Sequence, residues 1–177
     1  MTTVETVVLV DGDDRETGRA EKLWAHRNGG VRHRAFSVML RNAAGEWLLQ
    51  RRAAGKYHFP GLWSNTCCSH PRPGEGTEAA AHRRLREELG VDCALEEAFV
   101  FEYRAESAAT GLTEHEVDHV FVGTCGGAVR PDPAEVGEVR WASTAALDAE
   151  MAEAPERFTP WFLRLWGELG KRAGKRG

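Results

Sequence analysis

Four chain-breaking residues, Pro71, Pro73, Gly74 and Gly76, precede an uninterrupted run from Thr77 to Leu89, and Gly90 follows at once. This stretch constrains the fold most. Thr77 is the expected N-cap of a helix from Glu78 to about Leu89. Ala79, Ala80, Leu85 and Leu89 give it small and apolar contacts, and Gly90 stops it. Most of the chain around it has strand character. Residues 6–11 form an apolar run ended by Gly12, Asp13 and Asp14. Runs 34–42 and 46–52 meet at Asn42-Ala43-Ala44-Gly45, which predicts a β-hairpin. After Pro60-Gly61, residues 62–70 read as a strand or extended loop. Runs 98–106 and 116–124 are strand-like, with a loop around Gly111 between them, and 139–143 is a further short strand. Residues 158–172 are helical, with Trp161, Leu165, Trp166 and Leu169 at helical spacing. Strands mixed with two or three helices predict an α+β sandwich.

The 177 residues suggest one domain over 1–177, and no repeat or interdomain linker interrupts it. Hydrophobic residues at 42% and charged residues at 28% are a globular balance with enough apolar matter for a core. No apolar run approaches the ~20 residues of a membrane helix. The first residues lack a basic n-region and turn acidic early, so they do not read as a signal peptide. A formal charge of -4 does not favour nucleic acid, so any anionic ligand needs locally clustered cations. The four cysteines, Cys67, Cys68, Cys93 and Cys125, show no disulfide spacing, and reduced thiols in a cytoplasm are expected. The basic, Gly-rich residues 171–177 read as a flexible solvated tail.

Glu75, Arg83, Leu85, Glu87, Glu88, Gly90 and Val91 carry the chemistry of the helix segment. Glu87 and Glu88 are adjacent and project in different directions, so one can ligate a divalent cation while the other bonds elsewhere. Hard carboxylates suit Mg²⁺ or Mn²⁺, and such ions suit diphosphate. A solvated acidic helix face is the plain alternative. The segment resembles the Nudix box: a Gly, a Glu, then Arg-Glu-hydrophobe-x-Glu-Glu-x-Gly-hydrophobe. It departs from the box at Ser69, in place of the first Gly, and at Arg84, in place of the Glu after Arg. A cation at that second position argues against the usual nucleoside-diphosphate hydrolysis.

That departure is similar to one Nudix-fold branch, the type 1 isopentenyl-diphosphate isomerases. Further landmarks stand in order: Glu21-Lys22, His26, His33, Arg51-Arg52, Trp63-Ser64-Asn65-Thr66, Cys68-Ser69-His70-Pro71, Tyr103-Arg104-Ala105, Glu114, Glu116 and Pro160-Trp161. The resemblance covers nearly the whole chain. It implies a Nudix-type α/β/α sandwich with a mixed sheet. It also implies conversion of isopentenyl diphosphate to dimethylallyl diphosphate through a tertiary carbocation, in isoprenoid biosynthesis. The alternatives are a Nudix diphosphohydrolase and a non-catalytic metal- or nucleotide-binding module.

Site expectations follow from the resemblance. His26, His33, His70, Glu114 and Glu116 would hold one divalent ion, Mn²⁺ or Mg²⁺, with Zn²⁺ or Fe²⁺ also compatible. A second ion, Mg²⁺, would sit between Glu88 and the diphosphate, joined by the backbone carbonyl of Cys68. Cys68 and Glu116 would be the two proton-transfer groups, with Tyr103 bonded near Glu116; which protonates and which deprotonates stays open. Trp161 offers a π face to the carbocation. Lys22, Arg52, Lys56, Ser69 and Arg84 would bind the substrate, with Arg51 a further candidate. Cys67, Cys93 and Cys125 read as core, as do Trp47 and Trp166. His58 and His82 match no ligand position, and His115 and His119 read as strand surface or as support behind the ligands. An isoprenyl diphosphate is the expected partner, with no nucleic acid or membrane, and the chain is expected as a monomer or weak homodimer.

Overall fold

The computed structural model describes residues 4–27 and 29–174. In chain order it contains β1 (Thr6–Val10), β2 (Glu16–Glu21), α1 (Lys22–Arg27), β3 (His33–Arg41), β4 (Trp47–Arg52), β5 (Trp63–Ser64), β6 (Cys67–Ser69) and α2 (Thr77–Leu89). There follow β7 (Leu95–Glu106), β8 (Thr113–Thr124), β9 (Val136–Ala142), α3 (Thr144–Glu153), a 3₁₀ turn at Pro155–Arg157 and α4 (Pro160–Gly174). Among the described residues the strands form one mixed sheet. Its single long parallel pairing joins β3 to β8, from His33 opposite Glu116 to Arg41 opposite Thr124.

Side-chain alternation along β3 and β4 feeds two cores. Phe36, Val38, Leu40 and Leu48 face α2, where Ala80, Ala81, Leu85 and Leu89 are fully buried. Met39, Trp47 and Leu49 face the other way, onto Leu147 of α3 and Trp161, Phe162 and Leu165 of α4. Helices thus cover both faces of the sheet, as an α/β/α sandwich requires. Each of the buried leucines on α2 is worth about 1.5–3 kcal/mol in removed apolar area, which fixes the helix that carries Glu88.

Several expectations need correction. Gly76, not Thr77, occupies the N-cap of α2; its backbone is extended and no side chain caps the helix. At the other end Gly90 does what its position predicts. Its φ of 62° is left-handed, and its N–H donates to the Arg86 carbonyl. The predicted hairpin closes through the Gly45 N–H to the Asn42 carbonyl at 3.0 Å. Its strands, however, pair only at Arg41 and Trp47 and then separate, β3 to β8 and β4 to β9. Lys171–Gly174, expected as tail, form the last turn of α4; residues 175–177 lie outside the described residues. Strand β2 and helices α1 and α3 carry no expectation from the sequence. The Glu21 carboxylate accepts from the N–H groups of Leu23 and Trp24, which starts α1. The Ser143 hydroxyl accepts from the Ala146 N–H and starts α3.

Candidate active site and metal centre

Strand register gathers the site. His33 lies directly opposite Glu116 in the β3–β8 pairing, Tyr103 opposite Glu116 in β7–β8, and Cys68 opposite Ser37 in β3–β6. Glu114 and Glu116 are two apart on β8 and share a face; His115, between them, points away and reaches the Gly30 carbonyl at 2.9 Å. Gly30 makes that approach possible. Its φ is +77°, and a Cβ there would meet Cγ2 of Thr113 at 2.7 Å.

The ligating atoms of His26, His33, His70, Glu114 and Glu116 all lie within 4.8 Å of one another. The two helix- and strand-borne histidines are oriented from behind. His26 Nδ1 is 2.5 Å from the Lys22 carbonyl and His33 Nδ1 is 2.7 Å from the Val31 carbonyl. A carbonyl only accepts, so Nδ1 carries the proton and, in the neutral ring, Nε2 keeps its lone pair. Those Nε2 atoms turn inward: His26 to Glu114 Oε2 at 2.9 Å, and His33 to His70 Nε2 at 3.1 Å. His70 Nε2 in turn lies 2.9 Å from Glu116 Oε1. Three imidazole nitrogens and two carboxylates converging in a buried space repel one another unless a cation lies among them. The donor set, nitrogen and oxygen without thiolate, fits a divalent ion.

Burial and neighbours set the protonation of the group. Burial pushes the His70 ring down to about 4, so it stays neutral. Burial also opposes charge on His26, but the Glu114 carboxylate outweighs it and lifts the ring above the ordinary histidine value. Burial raises the Glu116 carboxyl, yet the His33 and His70 bonds overcome it and hold it well below the usual range. The Tyr103 hydroxyl donates to Glu116 Oε2 at 2.5 Å, and burial together with that negative charge pushes the phenol well above its ordinary value. Cys68, which lines the same pocket, has its thiol pushed up to about 12 by burial, with Arg52 pulling it back in part. It is a neutral thiol at physiological pH.

Cys68, Tyr103, Glu114, Glu116 and Trp161 line one pocket together with Lys22, Arg52, Lys56, Ser69, Arg84 and Glu88. All the residues expected to bind substrate therefore border the same space. Arg51 does not. It alternates to the far side of β4, pairing with Glu138 at 3.5 Å and the Gly61 carbonyl at 3.0 Å. Cys67 points oppositely to Cys68, into the core beneath α2. Trp161 is 4% exposed and anchored by its indole N–H to Ser64 Oγ at 3.0 Å. The Arg52 guanidinium lies 5.3 Å from its ring centre.

Three of the pocket cations arrive already paired with carboxylates. Lys22 bonds Glu5 at 2.8 Å, Lys56 bonds Glu135, and Arg84 contacts Glu87 at 2.9 Å, Glu88 at 2.5 Å and Glu135 at 3.4 Å. Glu88 is buried and also accepts from Gln50 Nε2 at 3.0 Å, whereas Glu87 is largely solvated. Of the adjacent pair, Glu88 is thus the one facing the pocket.

One buried residue of the site and one beside it carry no expectation as parts of it. His58 matches no ligand position, yet its Nδ1 lies 2.5 Å from Glu114 Oε1. Nothing in the spacing of residues 56–60 marks it. Asp118 continues the Glu114–Glu116 alternation onto the same face, a signal legible in the sequence. It accepts from Ser37 Oγ at 2.7 Å, and burial pushes its carboxyl well above the usual range. His115 and His119 are half-buried, each against carboxylates: Glu102 for the first, Asp14 and Glu97 for the second.

Comparison with known proteins decides the family. The NUDIX domain model matches residues 31–162. A Nocardia farcinica protein named isopentenyl-diphosphate Delta-isomerase is 54% identical over 159 residues, covering 90% of this chain and 91% of the relative. One of the same name from Halorhodospira halophila is 50% identical, covering 92% and 93%. The chain belongs to the isopentenyl-diphosphate Delta-isomerases of the Nudix fold. A crystal structure of a Deinococcus radiodurans protein superposes with a TM-score of 0.76 at 23% identity, covering 93% of this chain and 98% of that one. At that identity it shows the fold alone. Within the isomerase family reading, Arg84 neutralises Glu88 where a hydrolase box would add a carboxylate.

Proposed function

We propose that this chain isomerises isopentenyl diphosphate to dimethylallyl diphosphate with Cys68 and Glu116 as its two proton-transfer groups. The observation that carries this reading is their disposition. The Cys68 thiol and the Tyr103–Glu116 pair border one pocket, and Trp161 lies along the same pocket. A five-carbon unit held between them receives a proton at its terminal carbon. Positive charge develops at the tertiary carbon, and a proton leaves the allylic carbon, so no atom is gained or lost. Such groups, positioned in hydrogen-bond reach, contribute roughly 10²–10⁴-fold each.

His26, His33, His70, Glu114 and Glu116 would hold Mn²⁺ or Mg²⁺, with Zn²⁺ also compatible. When bound, the ion supplies fixed positive charge that alters the proton affinity of Glu116. The chain's own residues do the rest. Tyr103 orients and relays protons to Glu116 Oε2, Cys68 offers a dry thiol, and Trp161 presents a π face that attracts developing cation by up to ~2 kcal/mol. Lys22, Arg52, Lys56 and Arg84 take the diphosphate, Ser69 adds a hydroxyl, and Glu88 with the Cys68 carbonyl would hold Mg²⁺ against it. The enzyme would act in the cytoplasm, as a monomer or weak homodimer, without nucleic-acid or membrane partners.

The test is one NMR assay with protein, isopentenyl diphosphate and Mg²⁺ in D₂O. Dimethylallyl product with deuterium at the new methyl group supports the reading. Release of phosphate or pyrophosphate with no such product would sink it.

A further inference from the structure

We propose that His58 is a positioning residue of the metal centre, which holds Glu114 in its ligating orientation and ties the 53–62 loop to the bound ion. The proposal rests on the five-ligand reading above. The two oxygens of Glu114 have different neighbours. Oε2 faces His26 Nε2 at 2.9 Å, within the ligand group, while Oε1 faces His58 Nδ1 at 2.5 Å. The carboxylate only accepts, so His58 Nδ1 is the donor. One oxygen is thereby occupied from behind and the other is left to the ion. His58 is 4% exposed, and its ring centre stands 5.0 Å from that of His26. It falls outside the group whose donor atoms lie within 4.8 Å of one another, and its Nδ1 is turned to Glu114.

The loop is built to deliver this ring. Arg52 Nε donates to the His58 carbonyl at 3.0 Å, which fixes the backbone at that point. The next residue, Phe59, has a φ of +45°, a left-handed conformation that a non-glycine residue adopts at a cost of about 1–3 kcal/mol. That turn lets His58 reach the ligand group while the Phe59 ring packs edge-on against Trp161 at 5.5 Å. Two consecutive side chains therefore bind the metal end and the apolar wall of the pocket into one unit. Lys56 stands two residues before His58 on the same loop. Loading the metal centre thus firms the loop that presents a diphosphate-facing cation.

Metal-free protein, prepared by chelation, is titrated with Mn²⁺ in the absence of diphosphate, and free Mn²⁺ is read by electron paramagnetic resonance. His58→Phe keeps the ring and removes the donor; His58→Asn places an amide N–H near the position of Nδ1. Partners that orient a metal ligand typically contribute 10- to 100-fold in metal affinity. The expected result is that loss for His58→Phe and substantial recovery in His58→Asn, with the metal-free form of each variant folded by circular dichroism at the assay temperature. Hydrogen exchange of the 53–62 loop should slow on Mn²⁺ binding in the wild type and not in His58→Phe. Affinity of His58→Phe within twofold of wild type overturns the proposal. So does equal weakening of both variants, which would assign His58 to packing. A wild-type protein that binds no Mn²⁺ overturns the five-ligand site itself, and is told apart from the other outcomes because no variant is involved.

Discussion

The two ends of the pocket are built on opposite principles. At the end of the His/Glu group, five donors converge and, among the described residues, no cation of the chain lies between them; their geometry is imposed by strand register and by bonds from behind. At the cationic end, Lys22, Lys56 and Arg84 face the pocket but each already holds a carboxylate, Glu5, Glu135 and Glu88 respectively, and Arg52 donates to the His58 carbonyl. One end is preorganised and electrostatically incomplete; the other is largely self-paired and must be opened. On the proposed function, affinity for an ion would therefore be stored in the fold, whereas affinity for a diphosphate would be the difference between new and displaced ion pairs. The Lys22–Glu5 and Lys56–Glu135 pairs are partly solvated and each worth only about 0–1 kcal/mol, whereas the buried Arg84–Glu88 pair costs more to part.

The sharpest way to break this contrast is to empty the preorganised end. Chelation should abolish turnover and speed hydrogen exchange across α1 and the start of β3, since His26 and His33 tether them. Full activity in protein shown metal-free by elemental analysis would end the idea of an incomplete site. Next, Cys68→Ala should lower kcat by roughly 10²–10⁴-fold with an unchanged melting temperature. Cys67→Ala, in the core beneath α2, should leave kcat near wild type and cost about 1 kcal/mol of stability. Comparable kcat losses in both would undo the choice of cysteine. A middling effect is expected at the wall between the two ends. Trp161→Leu should lose about thirtyfold in kcat, from ~2 kcal/mol at 1.36 kcal/mol per factor of ten, while Trp161→Phe loses less. If both variants fall equally and only in step with melting temperature, Trp161 is packing alone. The smallest effect tests the self-paired end. Glu135→Gln releases Lys56 and part of Arg84, and should lower KM by roughly two- to fivefold with kcat unchanged. A raised KM would mean that Glu135 orients those cations for the substrate instead of competing with it.

What was legible in the sequence follows the same division. Glu114 and Glu116 share a face because strand alternation is local, and Gly90 stops α2 because a left-handed residue is required there. The fold class follows from the same local signals. Partnership is not local. Runs 34–42 and 46–52 look like a self-contained hairpin, yet β3 spends its length against β8, and no periodicity names that partner. Helix α1 is six residues long, too short for an amphipathic pattern, and a glutamate side chain starts it in place of the usual Ser, Thr, Asp or Asn. Ser143 has a cap signal but ends a strand-like run, where it reads as strand. His58 was invisible because its role depends on where a loop with a left-handed Phe59 places it. The pairing of Lys22, Lys56 and Arg84 with carboxylates was equally hidden: the sequence shows cations at suitable positions, but not which acids lie against them.

The β3–β8 register has a consequence for the order of events in folding. His33 meets Glu116 only when two segments far apart in the chain lie side by side in one of the possible alignments. A slip of one residue would turn Glu114 and Glu116 to the opposite face and leave His115 in their place. Long-range parallel pairing is the slow part of assembling such a topology, because chain-closure entropy is lost before contacts compensate for it. With the proposed five-ligand site, ion capture would then be a late event that proofreads the alignment: misregistered chains present no converging ligands and would gain nothing from a metal. Refolding with Mn²⁺ present should therefore leave the rate of the main folding phase unchanged and slow unfolding, a pattern stopped-flow fluorescence of the tryptophans can read. An ion that accelerated folding itself would place the ligand group in the nucleus rather than at the finish.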